Sequence, residues 1–522
     1  MDLNSIQSLE KATRFGRTEM FRFGTALLFV VFIMLFASSL SPDGTVSIEL
    51  VVAAMIGGYM AMNIGANDVA NNVGPAVGSK ALTLTGAIII AAIFEASGAL
   101  VAGGDVVGTI KKGIINPELI PDAQVFVWIM MAALLAGAVW LNLATAIGAP
   151  VSTTHSIVGG VLGAGIAAAG WDIADWGKMG QIAASWVISP VLGGMIAAMF
   201  LYWIKRSITY RKDKLAAAKR MVPIMIAIMV WAFSTYLMMK GLKKIWKMDI
   251  LVAGSLGFGF AVMSYWLLKK YVSKAVTKLE NNKQSINTLF IVPLIFAAAL
   301  LSFAHGANDV ANAVGPLAAI NDAVMSHEVS GKAAIPIWVM LIGAAGIAIG
   351  LALFGPKLIK TVGTEITELD QTRAYCVAMA AAITVIIASQ LGLPVSSTHI
   401  AVGGVFGVGF LREYLKASYA KAIHVIEEHH QGSDHDEVTA FMHKFEEADF
   451  EGKRQILAEL KAHKAEVDLP KKERRALKKV YRTELVKRAM LVRIASAWII
   501  TVPASALLAS IVYFTIRGML LP

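Results

Sequence analysis

The chain reads as an all-α polytopic membrane protein: an inverted-repeat secondary transporter with about 12 transmembrane or re-entrant helices and a cytoplasmic helical insert. Three observations predict it. Of the 522 residues, 57% are hydrophobic and 16% charged, and the mean hydropathy is +0.64, whereas a soluble protein carries about a quarter charged residues. The stretch GANDVAN occurs at 65–71 and again at 306–312, followed by Val73, Gly74 and Pro75 in one copy and Val314, Gly315 and Pro316 in the other. A second motif is also doubled, PVSTTHSIVGG at 150–160 and PVSSTHIAVGG at 394–404. Gly/Pro-interrupted apolar segments at matching places in two halves are the sequence mark of a transporter's binding site.

Taken in order, apolar segments fall near 22–40, 48–64, 86–102, 125–147, 150–168 and 180–204, then near 222–240, 250–268, 288–304, 333–354, 374–391, 398–412 and 491–516. Each is of bilayer-crossing or re-entrant length. The first follows Lys11, Arg14, Arg17 and Arg22 and has no small-residue cleavage site after it, which predicts a retained helix rather than a signal peptide. Five units result: a first membrane repeat at 1–204, a basic loop and two-helix connector at 205–287, a second repeat at 288–412, a soluble insert at 413–490, and a closing helix at 491–522. The connector segment 222–268 has no sequence partner in the first half. A fainter echo joins Val107-Gly108-Thr109 to Val362-Gly363-Thr364.

Charge sets the orientation. The net +11 is concentrated in short loops, as the positive-inside rule requires, and does not point to nucleic acid. The stretch 205–220 holds seven Lys/Arg and 269–283 holds five Lys. Placing both in the cytoplasm also places the N-terminus and the insert there, in the cell membrane. Lys240, Lys243, Lys244 and Lys247 dissent. By the same count the two GANDVAN segments run in opposite directions, so the halves are inverted repeats. The insert carries six of the ten histidines (His424, His429, His430, His435, His443 and His463), without compact metal-ligand spacing, and reads as a solvated helical region. Cys376 is the only cysteine, which excludes an intrachain disulfide.

The motifs specify chemistry. After Pro150, the hydroxyls of Ser152, Thr153 and Thr154 stand where a helix begins, and Ser396, Ser397 and Thr398 do the same in the other half. Two such ends would hold a tetrahedral oxyanion with neutral donors. Asp68 and Asp309 cannot hold an anion unaided. Carboxylates at membrane depth imply a cation, with Asp68, Asn71, Asp309 and Asn312 as Na⁺ ligands, or else protonation and H⁺ coupling. Glu95, inside AAIFEASGAL, is either a further cation ligand or an interhelical hydrogen-bond partner. His155 and His399 follow the hydroxyls as proton relays or packing groups. His305 opens the second motif where the first has Ile64, and a residue present in one half only is a weaker candidate for a symmetric ligand.

At these residues the sequence resembles the inorganic phosphate transporter (PiT) family. The resemblance rests on GANDVANNVGPAVGSKALT at 65–83, HGANDVANAVGP at 305–316, PVSTTH at 150–155, PVSSTH at 394–399 and IFEASGALVAGGDVVGTIKKGII at 93–115. It covers both membrane halves but not 413–490. It implies import of inorganic phosphate by symport, with Asn67, Asp68, Asn308 and Asp309 and the hydroxyls of both PVS motifs lining the phosphate and cation sites. The GANDVAN wording is similar to the sodium-coupled branch, which implies Na⁺ as the co-transported ion and no other cofactor. Sodium-coupled relatives carry a Glu before the second PVS motif, where this chain has Ala378. The partners implied are phosphate, Na⁺ or H⁺, and the lipid bilayer, with a homodimer left open. The rival readings are a permease for sulfate or another oxyanion, an H⁺-coupled phosphate transporter, a non-transporting receptor or scaffold, and a hydrolase built on Ser152 and His155.

Overall fold

The computed structural model describes residues 3–40, 47–120, 122–241, 248–326, 335–364, 369–427 and 488–520. The histidine-rich part of the predicted insert, 428–487, lies outside the described residues. The helices are α1 (Leu3–Ser39), α2 (Ile48–Asn67), α3 (Val69–Gly78), α4 (Leu84–Ala102), α5 (Gly104–Lys112), α6 (Ala123–Ile147), α7 (Thr153–Ala169), α8 (Trp176–Ile204) and α9 (Lys214–Gly241). They continue with α10 (Ile250–Val276), α11 (Lys283–Leu289), α12 (Ile291–Asp309), α13 (Ala311–Ser326), α14 (Ile337–Thr364), α15 (Gln371–Gln390), α16 (Ser397–Glu427) and α17 (Arg488–Leu520). Eleven helical stretches among the described residues are long and apolar enough to span a bilayer; α7 is shorter. The chain is an integral membrane protein of helical class.

Local chemistry sets many of the boundaries. Side chains of Ser47, Thr83, Asp122, Asp175, Asp249 and Asp370 accept from backbone N–H groups at the starts of α2, α4, α6, α8, α10 and α15, satisfying donors that lipid could not. The basic stretch 205–220 is not a loop throughout. Lys205–Thr209 continues α8 as a π turn and α9 begins at Lys214, since backbone at a membrane boundary is best satisfied by extending the helix. Likewise α16 runs through residue 412 to Glu427, so the second repeat passes into the insert without a break.

The two halves interlock by exchanged pairings. Helix α2 packs on α14, and α4 on α12; α7 packs on α17, and α8 on α16; α6 lies against α13 and α17, and α15 against α3 and α8. Each of these contacts of one half is answered by the equivalent contact of the other, which is the pattern of a pseudo-two-fold axis. The α6–α7 hairpin adds two crossings or none, so an odd number of reversals separates α2–α3 from α12–α13. The repeats are inverted whichever way that hairpin is counted. Helix α9 packs on α4 and α12 as α1 packs on α14 and α2, so one helix of the connector has a counterpart by position though none by sequence.

Glycines at the crossings make this approach close. A Cβ on Gly65 would strike the Ile347 carbonyl, and one on Gly306 the Glu95 carbonyl; Gly350 faces Met62 and Gly98 faces Phe303 in the same exchanged way. Gly407 lies against Gly194, where α8 crosses α16. Gly407→Ala is expected to cost about 1–3 kcal/mol through overpacking, read as a lower thermal midpoint in detergent. Gly254→Ala on α10, where a Cβ meets nothing within 4 Å, should leave that midpoint unchanged.

Candidate transport site

Both GANDVAN motifs lie at helix breaks. Helix α2 ends at Asn67 and α3 starts at Val69, with Asp68 between them; α12 ends at Asp309 and α13 starts at Ala311. Asp68 makes no side-chain cap to its own helix. Both PVS motifs form hairpin tips, between α6 and α7 and between α15 and α16. Each tip turns on a left-handed glycine, Gly148 at φ 75° and Gly392 at φ 65°, which a side chain would strain. The tips reach the two breaks, so two helix interruptions and two hairpin tips meet in a fully buried place.

The carboxylates there are held from both halves. Asp68 Oδ2 accepts from the Thr153 hydroxyl at 2.5 Å and from the Thr153 backbone N–H at 3.4 Å, while Oδ1 accepts from the Thr398 hydroxyl at 2.8 Å. Asp309 Oδ2 accepts from the Ser397 hydroxyl at 3.0 Å. Asn71 donates to Thr398 Oγ1 at 2.8 Å, and Asn312 donates to Thr153 and Thr154 Oγ1 at 3.1 and 3.2 Å. Thus Asp68, Asn71, Asp309, Asn312, Thr153, Thr154, Ser397 and Thr398 converge.

Other predicted residues are placed differently. The hydroxyls of Ser152 and Ser396 accept from the backbone N–H groups of His155 and His399 at 3.1 and 3.2 Å, so they act as helix N-caps. Asn67 fastens the first tip: it donates to Thr145 Oγ1 and the Ala149 carbonyl and accepts from the Val151 N–H. Asn308 donates to Ser389 Oγ at 2.9 Å. His155 lies tilted against Trp186 and His399 stacks on Trp498, with ring centroids 3.8 and 3.7 Å apart, and the two imidazoles meet edge to face at 4.4 Å. With Ser152 spent as a cap and the His155 ring held in this stack, they do not form a nucleophile–base pair.

His305 belongs to the centre, contrary to its discounting from sequence. Its Nδ1 lies 2.6 Å from Glu95 Oε2 and its Nε2 2.7 Å from Asp309 Oδ2, and Asn72 donates to Glu95 Oε1 at 2.8 Å. Asp68, His305 and Asp309 each bring one ligand atom within 4.8 Å of the others. By register, Ile64, Ile347 and Ala313 occupy the equivalent places in the opposite half, so this polar chain breaks the symmetry. Asn72 was readable as the residue after GANDVAN, Asn in one copy and Ala in the other. Thr145 and Ser389, at matching places before the two tips, carried the same kind of signal.

Four buried oxygens here, Asn71 Oδ1, Asn72 Oδ1, Asp309 Oδ1 and Asn312 Oδ1, have no hydrogen-bond partner. Buried acceptors without donors are costly. Oxygens gathered beside carboxylates are the donor set of a hard monovalent or divalent cation.

Residues 64–509 match the family model described as the phosphate transporter family. The chain belongs to that family. It is 51% identical, over 98% of both chains, to a "Putative phosphate permease" of Helicobacter pylori strain J99. A Thermococcus kodakarensis protein of the same description is 40% identical over 70% of this chain and 89% of its own. A solved structure described as "The sodium-dependent phosphate transporter" superposes with a TM-score of 0.73 at 30% identity, covering 91% of this chain and all of that one. The family match spans both breaks and both hairpin tips and extends into α17.

Proposed function

We propose that the chain carries inorganic phosphate across the membrane by cation symport, with Na⁺ as the coupling ion and alternating access as the mechanism. The observation that carries this is who receives the site's hydroxyl protons. Thr153 and Thr398 donate to Asp68 and Ser397 donates to Asp309. A hydroxyl has one proton to give. While these carboxylates hold the hydroxyls, an oxyanion entering the site meets acceptors rather than donors and is repelled. A cation held by Asp68, Asp309 and the unpartnered oxygens of Asn71 and Asn312 offsets the carboxylates' charge and frees Thr153, Ser397 and Thr398 to donate to phosphate. Neither ion binds well alone, and together they cancel each other's cost; that thermodynamic coupling is symport. The sodium dependence of the structural relative and the phosphate in the family's description support the identities of the two ions.

Radiolabelled phosphate uptake into proteoliposomes is the test. An imposed Na⁺ gradient should drive uptake at least about tenfold above a K⁺ control, corresponding to about 1.4 kcal/mol of coupling, and excess sulfate should not compete. Uptake driven only by an H⁺ gradient would replace Na⁺ with the proton while keeping the site. Sulfate uptake in place of phosphate would overturn the substrate.

A further inference from the structure

Equivalent residues do unequal things at the two hairpin tips. At the second tip, carbonyls are held from outside: Thr109 donates to the Gly392 carbonyl at 2.8 Å, Trp186 Nε1 to that of Pro394 at 3.1 Å, and Thr154 to that of Val395 at 3.1 Å. At the first tip Asn67 holds Ala149 and Val151, and Lys357 from the other half donates to the Ala146 carbonyl at 2.6 Å. Each half nevertheless carries the residues to make the other's bonds. Helix crossings fix the correspondence: Gly159 packs on Val502 as Gly403 packs on Pro190, and Gly163 on Ala506 as Gly407 on Gly194. This register makes Trp498 the equivalent of Trp186, Pro150 of Pro394 and Asn308 of Asn67. Both tryptophans are half-buried and in ring contact with the histidine of their own half. Trp186 Nε1 has its carbonyl; Trp498 Nε1 is buried and has no hydrogen-bond partner.

We infer that Trp186 and Trp498 are positioning residues that hold the hairpin tips in alternation: the Trp186–Pro394 bond belongs to the state seen here, and a Trp498–Pro150 bond replaces it in the state facing the other side. The inference rests on the alternating-access reading above. In an inverted repeat, exchanging the conformations of the two halves turns the protein to the opposite side of the membrane without requiring a new fold. A buried indole N–H left unpaired in one state and paired in the other biases the equilibrium by the free energy of one hydrogen bond. The stacked histidines keep both indoles beside the tips in either state, so the exchange needs only a local movement of each tip. The family's hydroxyls and carboxylates bind the ions; these indoles set which side the emptied site faces.

The test uses the full chain with Cys376→Ser and one reporter cysteine, Ala149→Cys or Leu393→Cys, on either tip. Labelling rates with a membrane-impermeant thiol reagent are measured with and without phosphate and Na⁺. Phe keeps the ring stack and removes the N–H. Trp186→Phe should move the ratio of labelling at the two tips in one direction, and Trp498→Phe in the opposite direction, each by roughly fivefold. The double variant should return near the starting ratio, which also reports that the variants are folded. Shifts of the same sign, or none, would overturn the alternation while leaving transport standing. If labelling in the parent responds to neither phosphate nor Na⁺, alternating access itself fails, and the inference with it.

Discussion

Asp68→Asn is expected to lower Na⁺-driven phosphate uptake by about 100-fold or more while the protein still inserts and elutes as a single species. The carboxylate is the one group that receives donors from both hairpin tips, Thr153 from the first and Thr398 from the second. An amide keeps the shape but replaces one acceptor oxygen with a donor and removes the charge that draws in the cation. Loss of a single charged ligand from a desolvated site is worth about 2–5 kcal/mol, roughly 30-fold to several thousand-fold, and a carboxylate held from both tips belongs above the low end of that range. The fold should survive because removing a buried charge also removes its desolvation cost. The discriminating readout is thermal stabilisation by Na⁺, present in the parent and absent in the variant. Asp309→Asn should behave alike. Near-normal coupled uptake in both would sink the cation assignment.

The second large effect concerns the asymmetric chain of Asn72, Glu95, His305 and Asp309. An imidazole satisfies two carboxylates at once only with a proton on each nitrogen, or with one carboxyl holding the proton. His305→Ile alone therefore strands Glu95 Oε2 and leaves Asp309 Oδ2 with the Ser397 hydroxyl alone in a fully buried place, and should destabilise the protein by about 3–5 kcal/mol. The triple variant Asn72→Ala/Glu95→Ile/His305→Ile copies what the opposite half already has at Ala313, Ile347 and Ile64. Apolar replacement of a buried ion pair is often neutral or stabilising, so the triple should regain the thermal midpoint yet remain without coupled uptake. Recovery of both stability and transport would make this chain mere packing; recovery of neither would mean the two halves differ in shape here as well as in polarity.

Much of this was legible in the sequence because duplication is legible. Two copies of GANDVAN and two of PVS-S/T-TH announce a pair of breaks and a pair of hairpins, and Asp or Asn in apolar company has few roles. The family and the helical membrane class followed from those motifs and the hydropathy. What duplication could not resolve was division of labour within a motif. Ser152 and Thr153 are neighbours of similar chemistry, but a helix N-terminus takes one hydroxyl as its cap, and only the backbone geometry decides that it is Ser152. Asn67 and Asn71 are amides of one motif, yet one braces a tip and the other points across the axis to Thr398. Reasoning by symmetry also hid His305. It has no twin, so it was weighed down, although a site that moves a charged pair in one direction gains from being unequal. The extents of α8 and α16 were missed for a plainer reason: charged residues at a membrane edge continue a helix as readily as they end it.

The exchanged packing of α7 with α17 and of α8 with α16 also bears on how the protein is made. The first half is finished as sequence by residue 204, but the helix that covers α7 begins only at Arg488. At about 5–20 residues per second of synthesis, α7 waits roughly 15–65 seconds for its partner, with Gly159, Gly163 and its neighbouring hydroxyls facing lipid or a chaperone. The residues between α16 and α17 lengthen that wait. A ribosome stalled, or a message truncated, between α16 and α17 yields a chain in which α8 has met α16 while α7 still lacks its cover. Quality control in the membrane therefore has a single late checkpoint to read, the arrival of the last helix.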